Sequence, residues 1–387
     1  MLKNILYALI GVLFYITCLG QSGPLTITKH LKLPADSAQL ITSLNGFLAQ
    51  IAKPDKENTF ISKDNFVATA ALVDEMKGME NEGPTKTNFY KCYLTNVVPL
   101  DSTDYMVQLS WLGTDESAPV LKASFKLIAQ KQGGQYAFSS PLKRNTLTWL
   151  VKKTGNFTIY RNTSAKVNQL DEYIRKADEY DKRINAPSYP TQIYYCDNFE
   201  DILELIGVTY KLNYNSLGHG GLGTFENNHS LYLIGAPVTD LTAFDPHDLW
   251  HSRLHHVVST DIINRPVDEA CAYLYGGSWG IMKWPDIFKK FKDDMGAGHD
   301  WLSTFNSHKK FGDAKAPLYT DYVIDALIVQ KIEKEKGFRP VIELLSCGKK
   351  EPDNENFFKA LDKITGINRS NFNVIIDKLV SAESAKQ

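Results

Sequence analysis

Residues 244–258 read FDPHDLWHSRLHHVV and hold four of the chain's nine histidines, at positions 247, 251, 255 and 256. His247 and His251 are four apart, which in an α-helix stacks both imidazoles on one face, about 5 to 6 Å from each other. That is close enough to grip one metal ion. Asp245 and Pro246 read as the cap and first position of this helix, and Asp248 fits the return arm of a capping box. A second register pairs His251 with His255 in HSRLH, but no acid lies within it. His256 is off the face of either pair and is expected on the surface or in the core.

A catalytic zinc takes three protein ligands and keeps one position for water, and two histidines with a carboxylate are a common set. Glu269 is the candidate third ligand. It opens EACAYLYGGS, a helical stretch that follows the break at Asn264-Arg265-Pro266, and it stands near the first turn. Seventeen residues separate it from His251, against thirteen from His255, and the longer spacing favours the first register. Asp268 suits either a helix cap or a partner that orients a ligand histidine from behind.

HDLWH at 247–251 followed by PVDEACAYLYGGS at 266–278 resembles the HExxH helix and the glutamate-bearing helix of gluzincin metallopeptidases of the peptidase MA-like group. The flanks follow the same order: IYYCDNFEDILELIG as strand and helix, GHGGLGTFENN as a glycine-rich edge, then SLYLI as a strand. LYTDYVIDALIVQKIEKEKGFRPVIELL and FFKALDKITGINRSNFNVIIDKLV resemble the group's helical tail. The resemblance covers about residues 190–380, roughly half of the chain. It implies that Zn2+ is held by His247, His251 and Glu269, with a peptide or protein substrate. It makes Asp248 the general base, Glu226 in GTFEN a ligand for a substrate amine, and Tyr319 or Tyr322 the stabiliser of the oxyanion. The sequence departs from the pattern at the base, where aspartate stands for glutamate and is one methylene shorter. A base must come within about 2.6 to 3.2 Å of the proton it takes. The alternative reading is therefore a catalytically inactive pseudo-peptidase serving as a secreted binding protein.

Working outward, residues 5–19 form an apolar run behind Lys3 and end at Gly20-Gln21-Ser22-Gly23, the pattern of a secretory signal peptide. About 15 apolar residues are short of the roughly 20 a span needs, and no second candidate follows. The mature chain is expected to be exported, periplasmic or secreted, with no membrane span. Thr17 before Cys18 argues against lipidation. The remaining cysteines, 92, 196, 271 and 347, are too dispersed for a metal cluster, and at most one disulfide is expected. With 43 basic and 44 acidic residues the net charge is -1, which gives no electrostatic reason for a nucleic-acid partner.

A chain of 387 residues is expected to form two domains. Residues 37–51 and 65–79 carry helical apolar spacing; 89–97, 105–112, 120–130 and 135–138 are β-rich runs between turn signals. This gives an α+β fold: an N-terminal helix-plus-antiparallel-sheet domain over 24–160, resembling nuclear-transport-factor-like architecture, and a gluzincin-like domain over 164–387. A charged helix at 165–184 places the boundary near residue 163.

Overall fold

The computed structural model describes residues 24–83, 85–162, 168–240, 243–295 and 299–386. The expected signal at 1–20, with Cys18, lies outside them. The structure is mixed α/β and divides into two compact units.

The first unit opens with β1 (Leu25–Ile27), α1 (Ser37–Ala49) and α2 (Phe66–Met76). A meander follows: β2 (Lys91–Pro99), β3 (Asp104–Asp115), β4 (Ala118–Gln132) and β5 (Gln135–Ser139), then a single turn of helix, α3 (Leu142–Asn145). The two helices and four strands read from apolar periodicity are therefore present, with ends shifted by a few residues. Leu40, Leu44 and Phe47 of α1 recur at helical spacing and are fully buried. They join Leu72, Val73 and Met76 of α2 and Leu94, Leu109, Phe125 and Leu127 of the sheet in one core. Burial of each such side chain is worth about 1.5 to 3 kcal/mol, so this cluster is what ties helices to sheet.

The division passes through β6 (Leu150–Thr154) and β7 (Phe157–Arg161), and α4 (Asn168–Ile184) belongs to the second unit. The chain does not divide once near residue 163, because Gln192–Gly235 clusters with the N-terminal unit. That segment holds most of β8 (Thr191–Cys196), then α5 (Phe199–Ile206), β9 (Val208–Lys211), β10 (Gly220–Glu226) and β11 (His229–Gly235). The cause is strand pairing. β4 has 15 residues, and while Ile128 onward takes β5, Ala123 to Phe125 take β9. Gly207, between α5 and β9, sits at φ 110 with the Lys126 carbonyl 2.4 Å from where a Cβ would be, so only glycine brings the chain in this close.

The second unit contains α6 (Pro246–Leu254), α7 (Arg265–Tyr275), α8 (Trp284–Met295) and α9 (Trp301–Ser307). A hairpin of β12 (Lys310–Asp313) and β13 (Ala316–Tyr319) leads into α10 (Thr320–Lys336), α11 (Arg339–Leu345), α12 (Glu355–Thr365) and α13 (Phe372–Ser384). α10 is buried from Val323 to Val329 without a break, which makes it the central helix of the unit. Cys271, Cys92 and Cys196 are buried and Cys347 is partly so, and all four are free thiols. Among the described residues no helix is long and apolar enough to cross a membrane.

Asp325 lies in that buried run at 0 % exposure, and neither of its oxygens has a hydrogen-bond partner among the described residues. Burial, helped by Asp321 and opposed by Lys350, pushes its carboxyl well above the ordinary range. The folded chain therefore keeps a proton that the unfolded chain releases above about pH 4. Stability is lost as pH rises through that window toward the folded value. Asp325→Asn is expected to melt several degrees higher than the parent at pH 8, with the gap closing as pH falls toward 4. Thermal melts across that range check it, and a gap that does not depend on pH refutes it.

Candidate metal centre

α6 begins where its cap chemistry dictates. Asp245 accepts a 2.9 Å hydrogen bond from the His247 backbone amide, and Pro246 takes the first turn, where its missing N–H costs nothing. No hydrogen bond reaches Asp248 among the described residues, so the return arm of a capping box is absent and the carboxylate is exposed. α7 begins after Asn264 and runs antiparallel to α6. Its end, Gly276, meets the start of α6 so closely that a Cβ there would lie 2.6 Å from the His247 backbone nitrogen. Asp268, near its beginning, reaches His251.

This pairing of helices brings His247, His251 and Glu269 together, with one ligand atom from each inside 4.8 Å of the others. His247 Nε2 and His251 Nε2 are 3.3 Å apart, Glu269 Oε2 is 3.3 Å from the first, and Glu269 Oε1 is 3.8 Å from the second. Two ligand atoms about 2.0 to 2.1 Å from one ion at the tetrahedral angle lie about 3.3 to 3.4 Å apart. Such a group could hold a metal ion. The register of His247 with His251 is thus the one the structure assembles. His255 closes α6 as an exposed C-cap residue outside the group, and His256 is half-buried against the edge of Tyr189.

Both imidazoles are held through their other nitrogen. His247 Nδ1 is 2.9 Å from the Gly277 carbonyl, and His251 Nδ1 is 2.8 Å from Asp268 Oδ1. With these partners each Nδ1 would carry the proton when an ion is bound, and each Nε2 would offer its lone pair to the shared point. Asp268 is fully buried and also accepts from Trp250 Nε1 at 3.1 Å. It is thus the partner behind His251, and not a cap. Burial opposes charge on His247, but Glu269 and the Gly277 carbonyl raise its pKa above the ordinary value. Burial likewise raises the Glu269 carboxyl, yet His247, His251 and Arg265 together hold it below the usual range. Without an ion the group is a set of internal hydrogen bonds around one acidic oxygen pair.

The Tyr322 phenol is raised by burial, with the charge of Glu269 adding to it. Its ring meets Tyr273 edge-on at 5.6 Å, and Tyr273 lies 5.8 Å from the His247 ring. The Tyr319 ring is instead stacked 4.3 Å from His308, whose Nδ1 pairs with Asp321 at 2.8 Å. Glu226 lies on β10 in the first unit, which does not carry the triad. Burial raises its carboxyl, with Asp55 and Asp74 adding to the effect. Three participants escaped the sequence reading: Gly277, Tyr273 and Arg265. The Gly276-Gly277 pair closing α7 and a cation four residues before Glu269 were the signals that could have found two of them.

The chain matches no protein-family model and no curated protein.

Proposed function

We propose that this protein is an exported zinc-dependent hydrolase of peptide bonds, with His247, His251 and Glu269 as metal ligands and Asp248 as general base. The observation that carries the reading is the 3.3 Å spacing of His247 Nε2 from both His251 Nε2 and Glu269 Oε2, which suits one tetrahedral ion. Zinc, when bound, would supply a Lewis acid and make a water acidic enough to attack near neutral pH. The chain's own residues would do the rest. The two Nδ1 hydrogen bonds fix the imidazoles so that their Nε2 atoms need no reorientation. Asp248, exposed and one residue beyond His247, is free to take a proton from the attacking water. Tyr322 is favoured over Tyr319 to donate to the developing oxyanion, since its ring meets Tyr273, which in turn lies against the His247 ring. The likeness of 247–251 and 266–278 to gluzincin helices supports a peptide or protein substrate. The helix pair and antiparallel meander of the first unit are in keeping with nuclear-transport-factor-like architecture, and the apolar run at 5–19 with export to the periplasm or beyond.

Purified protein is expected to carry about one zinc per chain, and Asp248→Glu is expected to speed cleavage. A carboxylate displaced by about 1 Å costs on the order of a hundredfold, so restoring the methylene recovers about 10- to 100-fold. Zinc analysis and mass spectrometry of a peptide library provide both readouts. A chain that takes up no zinc at micromolar concentration sinks the reading. Zinc uptake with no cleavage in either form points to the inactive binding protein instead.

A further inference from the structure

Arg265 stands in the first turn of α7, the positive end of the helix dipole, where a cation is disfavoured. Its guanidinium explains the placement. NH1 donates to Asp268 Oδ2 at 3.3 Å and NH2 forms an ion pair with Glu269 Oε1, so one fork spans the carboxylates three and four residues on. The oxygen of Glu269 that Arg265 takes is the one farther from the histidines, 3.8 Å from His251 Nε2, and the nearer one is left to them. Asp268 Oδ1 takes His251 Nδ1 at 2.8 Å, and Glu269 Oε2 faces His247 Nε2 at 3.3 Å.

We infer that Arg265 is a positioning residue that restricts Glu269 to one metal-binding oxygen, so that the centre is four-coordinate with one position left for water. This rests on the zinc site proposed above. A carboxylate binds a divalent ion through one oxygen or both, and a second oxygen would fill the position that water needs. Arg265 engages Oε1. Because the same guanidinium holds Asp268, it also fixes the carboxylate that orients His251. The two liganding helices are thus tuned from one side chain that never touches the ion. Lysine in its place presents one ammonium without the fork, enough for Glu269 and not for both acids.

The test uses the full mature chain, stripped of metal and titrated with Co2+, whose visible absorption is intense in four-coordinate sites and weak in five-coordinate ones. The parent chain is expected to bind one Co2+ with the intense band. Arg265→Met is expected to bind Co2+ with most of that intensity lost, and Arg265→Lys to restore it. Arg265 is 57 % exposed on its side chain, so both variants are expected to fold, and a far-ultraviolet spectrum with a thermal melt establishes that they do. Co2+ binding with an unchanged band in Arg265→Met overturns the role of Arg265 and leaves the metal site standing. A parent chain that binds no Co2+ overturns both.

Discussion

Replacing Arg253 by alanine is expected to destabilise the second unit by about 3 to 5 kcal/mol, the cost of stranding one member of a buried ion pair. Arg253 is on α6, four residues after Leu249 and two after His251, and is 1 % exposed. Its guanidinium grips Asp181 of α4 with both arms: Nε donates to Oδ1 at 2.7 Å, and NH2 to Oδ2. Burial holds the Asp181 carboxyl above its ordinary range although Arg253 pulls it down, so desolvation outweighs attraction here. The pair is consequently weak evidence of net stabilisation but strong evidence of sensitivity. Either single truncation leaves an uncompensated group, whereas Asp181→Leu with Arg253→Met removes both and is expected to cost less than Arg253→Ala alone. Urea denaturation followed by tryptophan fluorescence is suitable, since Trp250, Trp279, Trp284 and Trp301 all belong to this unit. A loss below about 1 kcal/mol for Arg253→Ala contradicts the argument. The same helix offers His247 and His251 on another face, so this pair anchors from behind the helix that carries them.

What the sequence made legible follows the range of the interactions. The caps and the i, i+4 histidine pair are local, and Asp245, Pro246, His247 and His251 stand in the structure where their spacing puts them. Glu269 was reachable as the acid on the next helix because two helices joined by a short connection pack as neighbours. The alternation of β2 to β5 and the helical spacing of Leu40, Leu44 and Phe47 are equally local. The pairing of β9 with β4 is not. Nothing within Val208–Lys211 reveals that its partner is Ala123 to Phe125, some 85 residues earlier, and so the boundary near 163 misassigned Gln192–Gly235. The same limit applies to Glu226. GTFEN carries an acid at a suggestive place, but only tertiary packing surrounds it with Asp55 and Asp74.

In the sequence Asp268 fits a helix cap as well as a partner to His251, and its full burial against the His251 ring decides for the second. Asp268→Ala is expected to weaken zinc binding by about 10- to 100-fold, in line with the loss of a group that orients a ligand. At 0 % exposure the carboxylate receives three donors: His251 Nδ1 at 2.8 Å, Trp250 Nε1 at 3.1 Å and Arg265 NH1 at 3.3 Å. Removing it frees the His251 ring to turn and to exchange its tautomer, so Nε2 no longer presents a fixed lone pair. It also leaves the Trp250 N–H buried without a partner, which adds a stability cost of about 1 to 3 kcal/mol. Asp268→Asn separates the two contributions. Its amide oxygen can still accept from His251 and Trp250, so the fold should be largely kept, while the charge that strengthens the hydrogen bond to a metal-bearing imidazole is gone. Competition against a chelator gives the affinities and a urea titration gives the stabilities. The expected order of zinc affinity is parent, then Asp268→Asn, then Asp268→Ala. Equal affinity within about twofold across all three would mean that His251 is held by its contact with the His247 ring, and that the hydrogen bond behind it is incidental.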